Sequence, residues 1–471
     1  MNGIKDNTKY PGKFYILTDP LNEIFFNALF SISDKGKIEI EISYSKSLIE
    51  TVKLTNFIEH TFQFYDIQGT IMIGSKRHSI SLLNCSLDYC NWHESFDSKN
   101  ETNCICNRYV KISAVAYLLD VLVDSQKKIK TALFKFSALS MWADLLIGEK
   151  NNNVFSIPFE KSWSTTTSEG NEIIIKNYLE EKKQNMQVSY LQDACFIINY
   201  IEYKNFQEYV EYGRIYNDFF VLMTGRKSDI EKFYISFEND SKQYEVIVNY
   251  RTYNPIFTEE SYFHFEYFTH HLSAINNWYN YYKNTNLAYA LFFDTFHFRE
   301  RYMTDMLLDA YIRSFEGMIT KYYFINGYFI SGNKNKNIIK KIKDSINSDM
   351  NDILNEYKQD SYKIEGYLEK YKQTVLDSFS HSYELSLKTR INLFLDLHAC
   401  IFDEDFHTFD REEIIKKIIA FRNAYAHADD SKLENNDLFT LIRFTKKMIL
   451  VHLFSDILNL NGYSINRNRL N

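Results

Sequence analysis

The distribution of proline constrains this chain more than any other single feature. All four prolines, Pro11, Pro20, Pro158 and Pro255, fall in the first 255 of 471 residues. Proline has no backbone N–H and its ring collides with the preceding helical turn, so a long proline-free stretch is open to long helices. The remainder, which also has few glycines, reads as helical, and every tryptophan lies at or before Trp278. This shift predicts an α+β multidomain protein: a β-rich domain over residues 1–260, a connecting region over 261–300 and an all-α bundle over 301–471.

The N-terminal part alternates as strands do. Phe14-Tyr15-Ile16-Leu17, Gly36 to Ile42 and Ser79 to Leu82 have period two with turn residues between them. Tyr65 to Thr70 reads as a strand reaching a glycine turn at Gly69, and Gly74-Ser75 punctuates the next pair. Residues 107–148 continue as apolar strands closing on Leu139-Ser140-Met141-Trp142. Residues 149–172 form a polar loop, and Glu172 to Tyr178 and Met186 to Ile201 return to strand. Phe206 to Met223 has helical spacing, ended by Gly225, before β alternation resumes over Lys232 to Tyr250. A meander or sandwich is the expected arrangement.

Helical patterns then run over Arg301 to Ile330, Lys334 to Glu356, Gln359 to Phe379, Tyr383 to Cys400, Asp410 to His427 and Asp437 to Leu458. Asp410 and Glu413 are spaced as a reciprocal helix cap. Near the end of this region stands Arg422-Asn423-Ala424-Tyr425-Ala426-His427. An always-charged guanidinium, a carboxamide and an imidazole at one helix end suit phosphate chemistry. In a regular helix, however, Arg422 and His427 point about 140° apart, because each residue turns about 100°. Unwinding after Ala426, or the same motif on a second chain, would bring the two functions together. The plainer expectation is that Arg422 pairs with Asp429 or Asp430 and that His427 only ends the helix. Tyr425 reads as a packing residue.

Arg422, Asn423 and His427 resemble the signature of the HEPN superfamily of helical RNases: an arginine, often followed by a polar residue, then a histidine four to six residues on at a helix end. The resemblance extends to the ApeA family of bacterial anti-phage proteins, which join a β-rich domain to a C-terminal HEPN bundle. Gly12, Phe14, Gly69 and Cys85, followed by Leu139-x-x-Trp142, match that family's N-terminal pattern in order. The resemblance implies an abortive-infection endoribonuclease needing no cofactor for catalysis. In it the ribose 2′-OH attacks the adjacent phosphate, with Arg422, Asn423 and His427 as catalytic residues. It also implies a homodimer, an RNA substrate such as tRNA, and a phage-derived trigger read by the β-rich domain. The rival expectation is a non-catalytic HEPN scaffold whose β-rich domain binds a partner.

Other residues carry weaker expectations. Lys416, Lys417, Lys446 and Lys447 flank the motif and could track RNA phosphates, or simply be solvated. The same choice applies to Lys334, Lys336, Lys340, Lys341 and Lys343, where a solvated helix face is preferred. Cys85, Cys90, Cys104 and Cys106, spaced C-x4-C-x13-C-x-C, are a candidate structural zinc set, although a buried thiol at the end of a strand is ordinary. His270-His271 and His297 have no ligand partners at useful spacing. The net charge of −7 argues against non-specific coating of nucleic acid. The polar opening MNGIKDNTKY has no signal-peptide order and no apolar run reaches membrane length, so a cytoplasmic protein without membrane association is expected.

Overall fold

The computed structural model describes residues 4–16, 25–33, 36–46, 65–96, 104–114, 116–123, 128–143, 149–151, 154–156, 160–184, 187–204, 206–238, 240, 242–248, 261–284, 286–297, 302–326, 332–356, 369–370, 372–373, 386–426 and 434–460. They form two compact units, Met1–Asn280 and Tyr281–Asn471. The first carries a large antiparallel sheet, and the second is helical.

The strands of the first unit are β1 (Tyr10–Ile16), β2 (Phe25–Ile32), β3 (Ile38–Lys46), β4 (Tyr65–Ile73), β5 (Lys76–Phe96), β6 (Cys104–Ala114), β7 (Ala116–Leu119), β8 (Ile129–Phe136), β9 (Glu149–Asn151), β10 (Val154–Ser156), β11 (Glu160–Thr166), β12 (Glu172–Gln184), β13 (Gln187–Lys204), β14 (Ile230–Phe237) and β15 (Tyr244–Val248). Thirteen of them form one sheet in the order β11-β12-β13-β8-β14-β15-β7-β5-β4-β1-β2-β3-β6. An added β5–β6 pairing closes β5, β4, β1, β2, β3 and β6 on themselves as a small barrel, not a sandwich. Closure depends on the length of β5. Its first half pairs with β4 and its second half with β6, across a register shift between Leu87 and Tyr89. The barrel is filled by alternate residues of its strands, including Phe14, Phe30, Ile40, Ile67, Ile80, Leu82 and Ile112.

Two glycines fit around one of these side chains. Gly69 lies within β4 opposite Phe14, so the chain does not turn there as expected; the turn is at Gly74, where φ is +62°. A Cβ on Gly69 would lie 2.5 Å from the Phe14 ring and 2.6 Å from the Lys13 carbonyl oxygen. A Cβ on Gly12 would meet the same ring at 2.7 Å. The Gly12, Phe14, Gly69 pattern is thus a packing device that lets a fully buried ring lie across its neighbouring strand.

The segment expected to end the β8 region as a strand is the short helix α1 (Ser137–Trp142). Trp142 is buried, donates its indole N–H to the Phe263 carbonyl at 2.7 Å and packs on Phe220, Phe265 and Phe268, which makes it a core plug. The stretch expected as a polar loop contains β9, β10 and β11. Helix α2 (Phe206–Thr224) covers the β8–β13 face and stops at Gly225, with φ +65°. Helices α3 (Phe265–Thr269) and α4 (Ser273–Asn284) follow.

The second unit contains α5 (Asn286–His297), α6 (Thr304–Ile325), α7 (Gly332–Glu356), α8 (Leu387–Leu397), α9 (Ala399–Thr408), α10 (Arg411–Ala426) and α11 (Asn435–Val451). One wide π turn, His452–Ile457, continues α11. The helix expected over Tyr383 to Cys400 is instead two, divided at His398. The helix expected over Gln359 to Phe379 lies almost wholly outside the described residues. No described helix is long and apolar enough to cross a membrane.

Candidate functional site

Helix α10 sets the site. Asp410 caps it by accepting the Glu413 N–H at 2.8 Å, the expected half of the reciprocal cap. The Glu413 carboxylate pairs forward with Lys417 at 2.8 Å. Ile414, Ile415, Ile418 and Phe421 form the buried stripe. The helix stays regular to Ala426, so Arg422 and Asn423 stand on its last turn. Asn423 is exposed, and Tyr425 stacks on Phe421 with ring centroids 5.7 Å apart, the packing role expected. His427, Asp429 and Asp430 lie outside the described residues, so the expected pairing of Arg422 with either aspartate does too.

The described partner of Arg422 is on another helix. Its Nη2 lies 3.7 Å from Oε2 of Glu316 on α6. The other carboxylate oxygen, Oε1, accepts from Nη1 of Arg390 on α8 at 3.2 Å. Arg390 also donates to the Thr320 hydroxyl at 2.7 Å, and that hydroxyl donates to the Glu316 carbonyl at 2.6 Å. Arg390 is buried, with its side chain 7% exposed, whereas Arg422 is 42% exposed and Glu316 intermediate at 24%. Two guanidiniums share one carboxylate, leaving a net positive charge whose open side is Arg422.

Burial separates the four flanking lysines. Lys416 is exposed on α10. Lys417 bridges Glu413 and Asp437. Lys446 is half-buried with its ammonium 5.2 Å from the Phe296 ring centroid. Lys447, expected to track RNA or be solvated, is buried: Nζ pairs with Asp405 at 2.6 Å and sits over the Phe402 ring. Its ammonium is committed to the fold. Both expectations fail there because α11 is buried almost all round from Phe444 to Val451. In the other basic run, Lys340 and Lys341 are exposed on α7 and Lys343 is half-buried, while the side chains of Lys334 and Lys336 lie outside the described ones.

A second polar cluster lies inside the helical unit. Asp456 in the π turn accepts from His452 Nδ1 at 2.7 Å and His398 Nε2 at 3.2 Å, while His452 Nε2 meets the Tyr281 hydroxyl at 3.0 Å. The two imidazoles hold the Asp456 carboxyl down to about 2, although burial opposes them. Burial lowers the pKa of His452 and outweighs the pull of Asp456. All these groups satisfy one another in a closed chain, which suits a structural core network.

In the cysteine set, Cys85 is fully buried in the barrel core and burial pushes its thiol pKa well up. Backbone register places Cys90 opposite Val110, Cys104 opposite Phe96 and Cys106 opposite Glu94. Cys90 and Cys106 are therefore about four residues, roughly 13 Å, apart along the ladder. The side chains of Cys90, Cys104 and Cys106 lie outside the described ones, and no group of three or more metal-binding side chains occurs among the described residues.

Sequence reasoning missed Glu316, Arg390 and the Asp456 cluster. The only local traces are polar pairs at i,i+4 inside apolar helices: Glu316 with Thr320, and His452 with Asp456. Residues 287–458 match the family described as Apea-like HEPN. No curated protein and no solved structure matches the chain.

Proposed function

We propose, on the premise that residues 287–458 are an ApeA-like HEPN domain, that this chain is an anti-phage endoribonuclease. HEPN domains are generally RNases and this family is tied to defence. The observation that carries the reading is a half-exposed Arg422 beside an exposed Asn423 on the last turn of α10, within the matched region.

In the proposed reaction the ribose 2′-oxygen attacks the adjacent phosphorus and the bond from phosphorus to the 5′-oxygen breaks. The proton leaves the 2′-hydroxyl and a proton reaches the departing 5′-oxygen, giving a 2′,3′-cyclic phosphate and a 5′-OH. Arg422 stabilises the charge on the phosphorane through its planar fork of donors. His427 moves a proton near neutral pH, and Asn423 orients the imidazole or a phosphate oxygen. Residues five apart, as Arg422 and His427 are, would point about 140° apart if one regular helix held both. A homodimer that juxtaposes two motifs supplies both functions at one phosphate. Lys416 is the flanking lysine best placed to meet RNA. The β-rich unit senses a phage-derived trigger, and tRNA is the substrate class proposed.

The test is sequencing of 2′,3′-cyclic phosphate ends in RNA from bacteria expressing the chain, with and without phage, against Arg422→Ala and His427→Ala. New ends absent from both variants, and unaffected in vitro by EDTA, are expected. Ends that persist in both variants would overturn the assignment, and loss of dimers in the variants would favour a scaffold.

A further inference from the structure

We propose that Glu316 is a positioning residue for Arg422, held in place by Arg390; this rests on the RNase reading above. The two arginines differ in burial. Arg390 is enclosed and anchored twice, to Glu316 Oε1 at 3.2 Å and to the Thr320 hydroxyl at 2.7 Å. Helix α8 is itself fixed on α6 by an edge-to-face contact between Phe394 and Phe315, with centroids 5.2 Å apart. The Glu316 carboxylate is thus immobilised on the side away from the site, and its second oxygen is aimed at Arg422.

The separation on that side is 3.7 Å, too long for a strong hydrogen bond. A carboxylate at this range orients the guanidinium electrostatically without consuming its donors. An arginine on the last turn of a helix otherwise has side-chain rotamer freedom to lose when it meets a phosphorane. Glu316 restricts that freedom before RNA arrives. Arg390 supplies the compensating charge, so the cluster keeps a net positive charge and does not repel phosphate.

The experiment uses the full chain and a short RNA that the wild type cuts. Glu316→Gln keeps the shape and the bond to Arg390 but removes the charge facing Arg422. It is expected to lower kcat at least tenfold with KM within about threefold and to leave the dimer intact, because only the aim of Arg422 is lost. Glu316→Asp retains the charge and recovers part of the rate. A kcat within twofold of wild type, or above it, in Glu316→Gln would overturn the inference.

A second measurement requires no cleavage and no substitution at Glu316. Side-chain 15N relaxation of Arg422, assigned by its loss in Arg422→Lys, is expected to report restricted motion compared with the exposed Arg443 in RNA-free protein. Equal mobility would also overturn the inference. A wild type that cuts no RNA would refute the RNase reading, while the relaxation data would still decide whether Glu316 positions Arg422.

Discussion

Lys447 is held by the fold, whereas Lys416 is the lysine proposed to meet RNA, and replacing Lys447 has a calculable cost. Its ammonium and the Asp405 carboxylate are 2.6 Å apart, with side chains only 8% and 16% exposed. Removing one partner of a buried pair leaves an uncompensated charge, at about 3–5 kcal/mol. Asp405 and Lys447 also line a cavity of about 220 Å³ with Arg443 and Phe444, so some water can reach the orphaned carboxylate. The cost of Lys447→Met should therefore sit near the low end, about 3 kcal/mol. For a unit of this size that lowers the midpoint of its transition by roughly 6–12 °C. Replacing both partners, as Lys447→Met with Asp405→Leu, should restore most of the loss, because a well-packed apolar pair is close to neutral. Calorimetry of the full chain reads the transition of the helical unit directly. By contrast, Lys416→Ala should leave that transition in place and reduce the salt dependence of RNA binding by about one phosphate contact. A Lys447→Met protein melting within 2 °C of wild type (~1 kcal/mol or less), yet binding RNA more weakly, would refute the assignment of Lys447 to the fold.

Two further outcomes follow from packing and protonation. Gly69→Ala should destabilise the β-rich unit by about 2–3 kcal/mol in urea unfolding, and adding Phe14→Leu should recover only part, because the clash with the Lys13 backbone oxygen remains. Full recovery would show that the ring alone sets the constraint. Asp456 ionises at about 2 when folded against 3.8 ordinarily, so it contributes about 2 kcal/mol above pH 4 that is lost as pH falls toward 2. His452, lowered below its usual 6.5, acts in the same direction, because acid protonates the unfolded chain first. The stability gap between wild type and Asp456→Asn should narrow by about 2 kcal/mol from pH 5 to pH 2; parallel curves would refute the role of this carboxylate.

Local features were legible in the sequence because their causes are local. The cap at Asp410, the stop at Gly225, the alternation seen in β1, β3, β4 and β5 and the change from strand to helix all follow from neighbouring residues. Closure of the barrel did not show, because it depends on β5 being long enough to pair twice and on β3 meeting β6 far along the chain. The same limit applied at the candidate site. Arg422 and Asn423 announce themselves by type and spacing, but Glu316 and Arg390 gain meaning only when α6 and α8 pack. Lys447 misled for the converse reason: its helix is enclosed almost all round from Phe444 onward, so its charge does not mark a surface there.

The barrel also orders events during synthesis. Its last strand, β6, ends at Ala114, and the β-rich unit is complete by Asn280, whereas Arg422 is made well over a hundred residues later. Ribosomes add about 5–20 residues per second, and strand pairing of this kind takes milliseconds to seconds. The N-terminal half therefore has time to fold before the ribosome has translated the motif. The β-rich unit thus precedes the motif in time as well as in sequence, an order that any circular permutant beginning near residue 281 would reverse.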